Sequence, residues 1–219
     1  MKIGEYGKKE NYEATIALIG SSHSEHWLGA ISDAAEDHNY RILTLTRSGT
    51  RFSTGYPADD MKGIWNKHVL DYLKDADVDL VVSHATASDT YKDKIQQQMI
   101  DQLQFVKDEY GIEALAVRDD PRYSFNVLES LQTKGEEETI RKMNAAENQK
   151  DEAFWRKFEA ENKSIHKIDL TEYFKMNGQF QPIIGNVIIY RDNRHITNTY
   201  SESFGPVFKE KINKILKNQ

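Results

Sequence analysis

Five short apolar runs, each followed by a longer segment of helical spacing, constrain this chain more than any other feature. The runs are Thr15 to Ile19, Tyr40 to Thr46, Asp79 to Ser83, Ile112 to Val117 and Ser164 to Leu170. Their continuous or period-2 apolar character marks strands. The segments Glu25 to Asp37, Ala58 to Lys74, Tyr91 to Tyr110, Glu136 to Asn162 and Phe208 to Lys217 place apolar residues at helical intervals. Strands that alternate with helices favour a parallel sheet joined by right-handed crossovers. With 219 residues, 38% of them hydrophobic, and no dividing linker, residues 1–219 read as a single domain, of which 1–13 form an N-terminal extension or linker.

The first run ends in Gly20-Ser21-Ser22-His23. A buried strand that closes on Gly-x-Ser and enters an amphipathic helix puts a hydroxyl at the carboxyl edge of the sheet, beside the N–H groups of a helix N-terminus. A nucleophilic serine would sit there, and so would a plain helix cap, because a Ser oxygen accepts from first-turn N–H groups. Far downstream, Asp192-Asn193-Arg194-His195 sets an acid three residues before an imidazole, ahead of the last helical segment. A doubly wound sheet can bring the two blocks to one edge. Ser22, His195 and Asp192 are therefore a candidate Ser/His/Asp set.

These blocks carry a family resemblance. Gly20-Ser21-Ser22-His23 resembles the Gly-Asp-Ser-His block of SGNH hydrolases, in the form found in extracytoplasmic domains fused to membrane acyltransferases of the acyltransferase-3 type. Asp192-Asn193-Arg194-His195-Ile196-Thr197 resembles their Asp-x-x-His-Leu-Thr block, and the resemblance runs from about Thr15 to Leu216. It implies an α/β chain with the SGNH hydrolase fold, a flavodoxin-like three-layer α/β/α arrangement around a five-stranded parallel sheet. It also implies Ser22 as nucleophile, His195 as general base and Asp192 as the partner that orients it. Two positions depart from the family pattern: Ser21 stands where the family has Asp, and the place of its Asn block reads Val81-Val82-Ser83-His84-Ala85-Thr86. The implied oxyanion hole uses the Ser22 N–H and Gly49, with a third donor open among Ser83, His84 and Thr86. Gly49, in Arg47-Ser48-Gly49-Thr50, equally suits a loop that needs positive φ.

By the same resemblance the domain receives an acyl group, usually acetyl, delivered across the membrane by a separate integral-membrane domain, and passes it to a hydroxyl of a cell-envelope glycan. The implied partners are the acyl donor, the glycan acceptor and a membrane acyltransferase domain in the full-length protein or as a partner. The implied location is extracytoplasmic, tethered to a bacterial cell membrane. No metal or cofactor is implied. A free carbohydrate or lipid esterase would share every catalytic residue, and a non-catalytic glycan-binding domain would retain the fold.

The chemistry assigns each side chain a task. A serine hydroxyl is a weak nucleophile near neutral pH, so an imidazole must take its proton during attack and return it to the leaving group. An acid fixes the ring tautomer and stabilises the imidazolium. The loops after the second and fourth strands offer Arg51, Tyr56, Arg122 and Tyr123 for sugar hydrogen bonding or stacking, and His23 and His84 join Arg51 and Arg122 as candidate substrate contacts.

Composition narrows the partners further. The absence of Cys excludes disulfides, thiolate catalysis and Cys-based zinc sites. A net charge of −6 disfavours nucleic acid, which needs concentrated Lys and Arg. No apolar run of about 18 residues exists and the first residues do not resemble a signal peptide, so the chain as given is expected to be soluble. His23-x-x-His26 has no third ligand at metal-site spacing, and no metal is expected. His38, His68 and His166 read as surface or packing residues, and Trp27 and Trp65 as core. Two insertions complete the reading. Asp119-Asp120-Pro121-Arg122-Tyr123 opens a segment that ends in a charged, solvated helix, and Gln179 to Tyr190, with Gly185-Asn186 at its centre, reads as a hairpin that presents Asp192 and His195.

Overall fold

A computed structural model describes residues 2–36, 39–86, 97–145 and 152–217. The first half runs β1 (Gly4–Gly7), β2 (Ala14–Gly20), α1 (Ser22–Glu25), α2 (Leu28–Glu36), β3 (Tyr40–Thr46), α3 (Met61–Asp75), β4 (Leu80–His84) and α4 (Gln97–Tyr110). It continues through β5 (Glu113–Val117), α5 (Val127–Lys134), α6 (Glu136–Met143), α7 (Glu152–Glu161), β6 (His166–Ile168) and a 3₁₀ turn at Thr171–Phe174. Two small hairpins follow, β7 (Lys175–Met176) with β8 (Gln179–Phe180) and β9 (Ile183–Ile184) with β10 (Val187–Ile188), and then α8 (Asn198–Glu202) and α9 (Gly205–Leu216).

The main sheet has the order β1-β3-β2-β4-β5-β6, and β3, β2, β4, β5 and β6 are parallel. All seven residues of β2 are buried. Ile16 and Leu18 belong to a core with Trp27, Ile31 and Phe208, while Ala17 and Ile19 belong to a second core with Trp65, Val69 and Leu103. Burial on both faces is what a continuous apolar run requires, and helical layers on either side supply it. The chain leaves β2 for β3 on one side and later for β4 on the other. The strand order therefore reverses at β2, and a crevice opens at the carboxyl ends of β2 and β4.

The five expected parallel strands and the mixed α/β/α architecture are present, and the structure adds to them. Residues 4–7, read as part of an extension, form an antiparallel edge strand in which Gly4 faces Thr44 and Gly7 faces Arg41, so the sheet has six strands. The helix expected over Glu25 to Asp37 is two helices, broken at His26-Trp27, where Trp27 turns inward against Phe204 and Phe208. The Glu136 to Asn162 segment contains α6 and α7, and residues 146–151 between them lie outside the described residues. Tyr91, the expected start of α4, and His38 also lie outside them. The hairpin turn does fall at Gly185-Asn186, but Gln179 and Phe180 pair backwards with β7 instead. Among the described residues no helix is long and apolar enough to cross a membrane.

Candidate active site

The turn from β2 into α1 depends on Gly20. Its φ is +132°, and a Cβ there would lie 2.4 Å from Ser24 Oγ, so only glycine lets the strand bend directly into the helix. Ser21 then caps the helix, its Oγ accepting from the His23 N–H at 3.3 Å. The two readings of the Gly-Ser-Ser block are thus divided between its serines. Ser21 is the cap, and Ser22, the first residue of α1, carries the hydroxyl that meets His195 Nε2 at 3.1 Å.

His195 and Asp192 lie in the loop after β10. A bridge between Tyr190 and Ile196 closes that loop, and the Arg191 N–H donates to the His195 carbonyl at 2.9 Å. Asp192 Oδ1 accepts the backbone N–H groups of Arg194 and His195, both at 2.8 Å, while Oδ2 pairs with His195 Nδ1 at 2.7 Å. A carboxylate oxygen can only accept, so the His195 proton sits on Nδ1 and the Nε2 lone pair faces the Ser22 hydroxyl. Burial works against the charge on Asp192, but the two N–H groups and the His195 ring outweigh it and hold the acid below its usual range. Burial also lowers the pKa of His195; Asp192 opposes this, and the neighbouring His26 and His23 add to it.

Two more histidines stand behind this set. His23 Nδ1 pairs with Asp119 Oδ1 at 2.7 Å, and His26 Nδ1 with Asp120 Oδ1 at 3.2 Å. Asp119 is also held by Arg122, whose Nε and Nη2 donate to Oδ2 at 3.0 and 2.6 Å. Burial disfavours the His23 imidazolium, yet Asp119 and Asp120 overcome it and raise the pKa to about 9. His84 behaves in the opposite way. Its burial, with further repulsion from His23, Arg122 and Arg51, overrides Asp119 and lowers its pKa to about 3, so it is neutral. Ser24 Oγ accepts the His84 backbone N–H at 3.2 Å and meets His84 Nδ1 at 2.7 Å.

Two cavities meet at Ser22. One, about 410 Å³, is lined by Ser22, His195, Gly49 and His84 together with Arg51 and Arg122, and it extends to Tyr56, Lys62 and Arg194. The other, about 360 Å³, is lined by Ser22 with Glu25, His26, Arg191 and Asn198. The expected contacts His23, Arg51, His84 and Arg122 therefore converge on one space. Gly49 faces it too, with φ at +69° and nothing within 4 Å of an added Cβ.

Some sequence expectations change here. Tyr123, read as a sugar contact, is fully buried with its ring edge-on to Tyr190, so it belongs to the core. His166, read as a surface or packing residue, pairs through Nε2 with Glu113 Oε2 at 2.9 Å. Asp119, Asp120, His26, Lys62 and Arg194 were not singled out as site residues. The position of Asp119 and Asp120 just after β5, and of Arg194 beside His195, is a signal that points to them, whereas Lys62, in the first turn of α3, and His26, just after α1, carry no such signal. Ligand atoms of His23, His26 and His195, and those of His23, Asp119 and Asp120, lie within 4.8 Å of one another. In the second group both Asp119 oxygens are already engaged by His23 and Arg122, and in the first His195 Nε2 is engaged by Ser22. A cation would have to displace those bonds.

Residues 3–210 match the family described as SGNH domain (fused to AT3 domains). The fold is similar to that of a lipopolysaccharide acetyltransferase periplasmic domain from Salmonella ser. Paratyphi A, with a TM-score of 0.69 and 14% identity over 93% of this chain and 85% of that one. No curated protein matches this chain in sequence.

Proposed function

Because the chain belongs to the family of SGNH domains fused to AT3 domains, we propose that it transfers an acyl group, acetyl above all, to a hydroxyl of a cell-envelope glycan through an acyl-serine intermediate. The observation that carries this reading is the continuous relay from Asp192 Oδ2 through His195 to Ser22 Oγ, with distances of 2.7 and 3.1 Å. In it, Ser22 Oγ attacks the acyl carbonyl while His195 Nε2 takes its proton. The carbonyl reforms as the leaving group departs with that proton, which leaves acyl-Ser22 and neutral His195. The acceptor hydroxyl then attacks the acyl-enzyme, gives its proton to His195, and the proton returns to Ser22 Oγ. Asp192 keeps the proton on Nδ1 throughout and stabilises the transient imidazolium.

The negative oxygen of each tetrahedral intermediate needs donors already in place. In this reading they are the Ser22 and Gly49 N–H groups and, third, the Nε2–H of His84. Ser83 Oγ donates to the His84 carbonyl, and neither Ser83 nor Thr86 is among the described residues that line the larger cavity. His84 is left, neutral, at the cavity wall. If the Ser24 hydroxyl donates to its Nδ1, the His84 proton sits on Nε2. Transfer is favoured over hydrolysis if a cavity that shares Ser22 holds the acceptor hydroxyl in line with the acyl-serine, where the leaving group has departed. On this reading the acyl group comes from a membrane acyltransferase domain, and the domain works outside the cytoplasm beside a bacterial membrane.

Intact-mass analysis after exposure to an activated acetyl ester tests the reading. One acetyl should appear on Ser22, be missing from a folded Ser22→Ala protein, and leave faster when glycan acceptors are added. A wild-type protein that acquires no acetyl group refutes the mechanism, and an acetyl-enzyme that glycans do not discharge, while acetylated glycans are deacetylated, replaces the transferase with an esterase.

A further inference from the structure

The chain carries a net charge of −6, yet the larger of the two cavities at Ser22 is lined by Arg51, Lys62, Arg122 and Arg194, and no Asp or Glu is among its described lining residues. Acids exceed bases across the whole sequence, so a lining whose Arg and Lys side chains meet no Asp or Glu among the described lining residues is a local arrangement and not a reflection of composition. The segments that carry these cations are fixed. The Arg51 backbone N–H donates to the Tyr56 hydroxyl at 3.2 Å, and the Lys62 ammonium lies 5.4 Å from the centre of the same Tyr56 ring. Arg122 is fixed by its two bonds to Asp119. Arg194 follows directly from Asn193 and Asp192 in the loop that presents His195, its backbone held by Asp192 Oδ1 at 2.8 Å.

A second observation lies deeper in the same wall. His23 is 5% exposed, its Nδ1 is taken by Asp119, and its Nε2 is buried with no hydrogen-bond partner among the described residues. A buried imidazole nitrogen without a partner costs free energy in the unbound protein. The smaller cavity has no such bias, since Glu25 stands opposite Arg191 there.

Resting on the acyl-transfer reading above, we propose that the larger cavity recognises an anionic acceptor, a glycan that bears a phosphate or carboxylate close to the hydroxyl to be acylated. Guanidinium groups bind both oxyanions through paired N–H donors, which fixes orientation as well as position. The transferred acetyl group meets this cavity at Gly49 and His84, but it is small and uncharged, so it makes no use of the Arg and Lys side chains. The acceptor's anion, seated between Arg51, Lys62 and Arg194, would bring its neighbouring hydroxyl in line with acyl-Ser22. The smaller cavity is left to the donor side.

Calorimetric titration of the folded protein tests the proposal without requiring turnover. The probes are a hexuronic acid oligosaccharide, a glycerol phosphate oligomer and a neutral oligosaccharide of equal length. At least one anionic probe should bind about tenfold or more tightly than the neutral one, and 1 M salt should remove most of that advantage. Which anionic probe binds separates carboxylate from phosphate. Lys62 and Arg194 are exposed, so the Lys62→Gln/Arg194→Gln protein should keep the wild-type melting transition and lose the preference for anions. Equal binding of all three probes, or an anion preference untouched by the double substitution, overturns the proposal. Failure of Ser22 to become acetylated would refute the acyl-transfer reading instead, and leaves these binding results to be judged by themselves.

Discussion

The rings of His23 and His195 stand 5.2 Å apart, centre to centre, and their environments drive them in opposite directions. Asp119 and Asp120 raise His23 to about 9, whereas burial together with the nearby His26 and His23 lowers His195. At neutral pH a cation therefore sits beside the nitrogen that has to accept the Ser22 proton. Such a neighbour disfavours a second positive charge and keeps His195 in its basic form at lower pH.

Replacing that cation should be visible in the pH profile. Activity toward a small acetyl ester is expected to rise with pH through the His195 titration, with a wild-type midpoint below the usual 6.5 of histidine. In His23→Gln the midpoint should move up, by about half a unit for unit charges at this separation in a watery site. A structural defect alone would lower the rate without moving the midpoint. An unmoved midpoint, or one displaced toward acid, would remove His23 as a tuning group.

Asp192→Asn separates orientation from packing. Asparagine keeps an oxygen for the Arg194 and His195 N–H groups, so the loop should hold its shape. Its amide nitrogen, however, faces His195 Nδ1 as a donor and favours the tautomer whose Nε2 already carries a proton. The loss in kcat can reach roughly 10⁴ for a buried triad acid. The Asp192 side chain is 35% exposed, which lets water share its role, and a loss of about 10² to 10³ is expected. A drop below about tenfold with an unchanged melting temperature would mean that Asp192 does not orient the base.

The parallel strands were readable because each is an apolar run bounded by helical spacing, and the Ser22 and His195 blocks because their residue order resembles a known pair. Edge strand β1 was not. Its Gly-Glu-Tyr-Gly sequence is largely exposed and has no apolar alternation, and its pairing with β3 comes from backbone hydrogen bonds that any sequence can make. The acids behind the site were hidden by distance, since His23 meets Asp119 across 96 residues. Read locally, Asp119 and Asp120 only open an insertion. Once β5 is placed two positions from β2 in the sheet, both acids fall at the edge where the histidines emerge. Tyr123 was misplaced for the same reason, because its partner Tyr190 comes from another insertion.

Gly20 should tolerate substitution far less than Gly49. Alanine at Gly49 meets no atom within 4 Å and has only a left-handed backbone to adopt, at a cost of about 1 to 2 kcal/mol. Alanine at Gly20 adds a collision with Ser24 Oγ, the atom that supports His84, to a backbone region that glycine alone occupies readily. Denaturant unfolding should place Gly20→Ala clearly below Gly49→Ala in stability, and its ester turnover should fall as Ser22 shifts. Equal stability of the two variants would contradict the close turn described here.

The His23 ion pair also predicts how stability depends on pH. An unfolded chain releases the His23 proton near 6.5, whereas the folded one holds it until about 9. Below 6.5 both states are protonated and the stabilisation from the pair is fully present. As pH rises from there the unfolded state loses its proton first, and the contribution declines until His23 also deprotonates in the folded state near pH 9. The full contribution corresponds to about 3 kcal/mol for that interval. Other groups also contribute to the pH dependence, among them Lys167 and Lys211, both lowered by burial, so the comparison has to be with His23→Gln and not with a single curve. Stability measured by urea unfolding at several pH values should show wild type ahead of His23→Gln at pH 6, with the gap closing toward pH 9. Two curves that stay parallel over this interval would mean that His23 is not held as a cation by Asp119, and the tuning of His195 argued from that charge would fall with it.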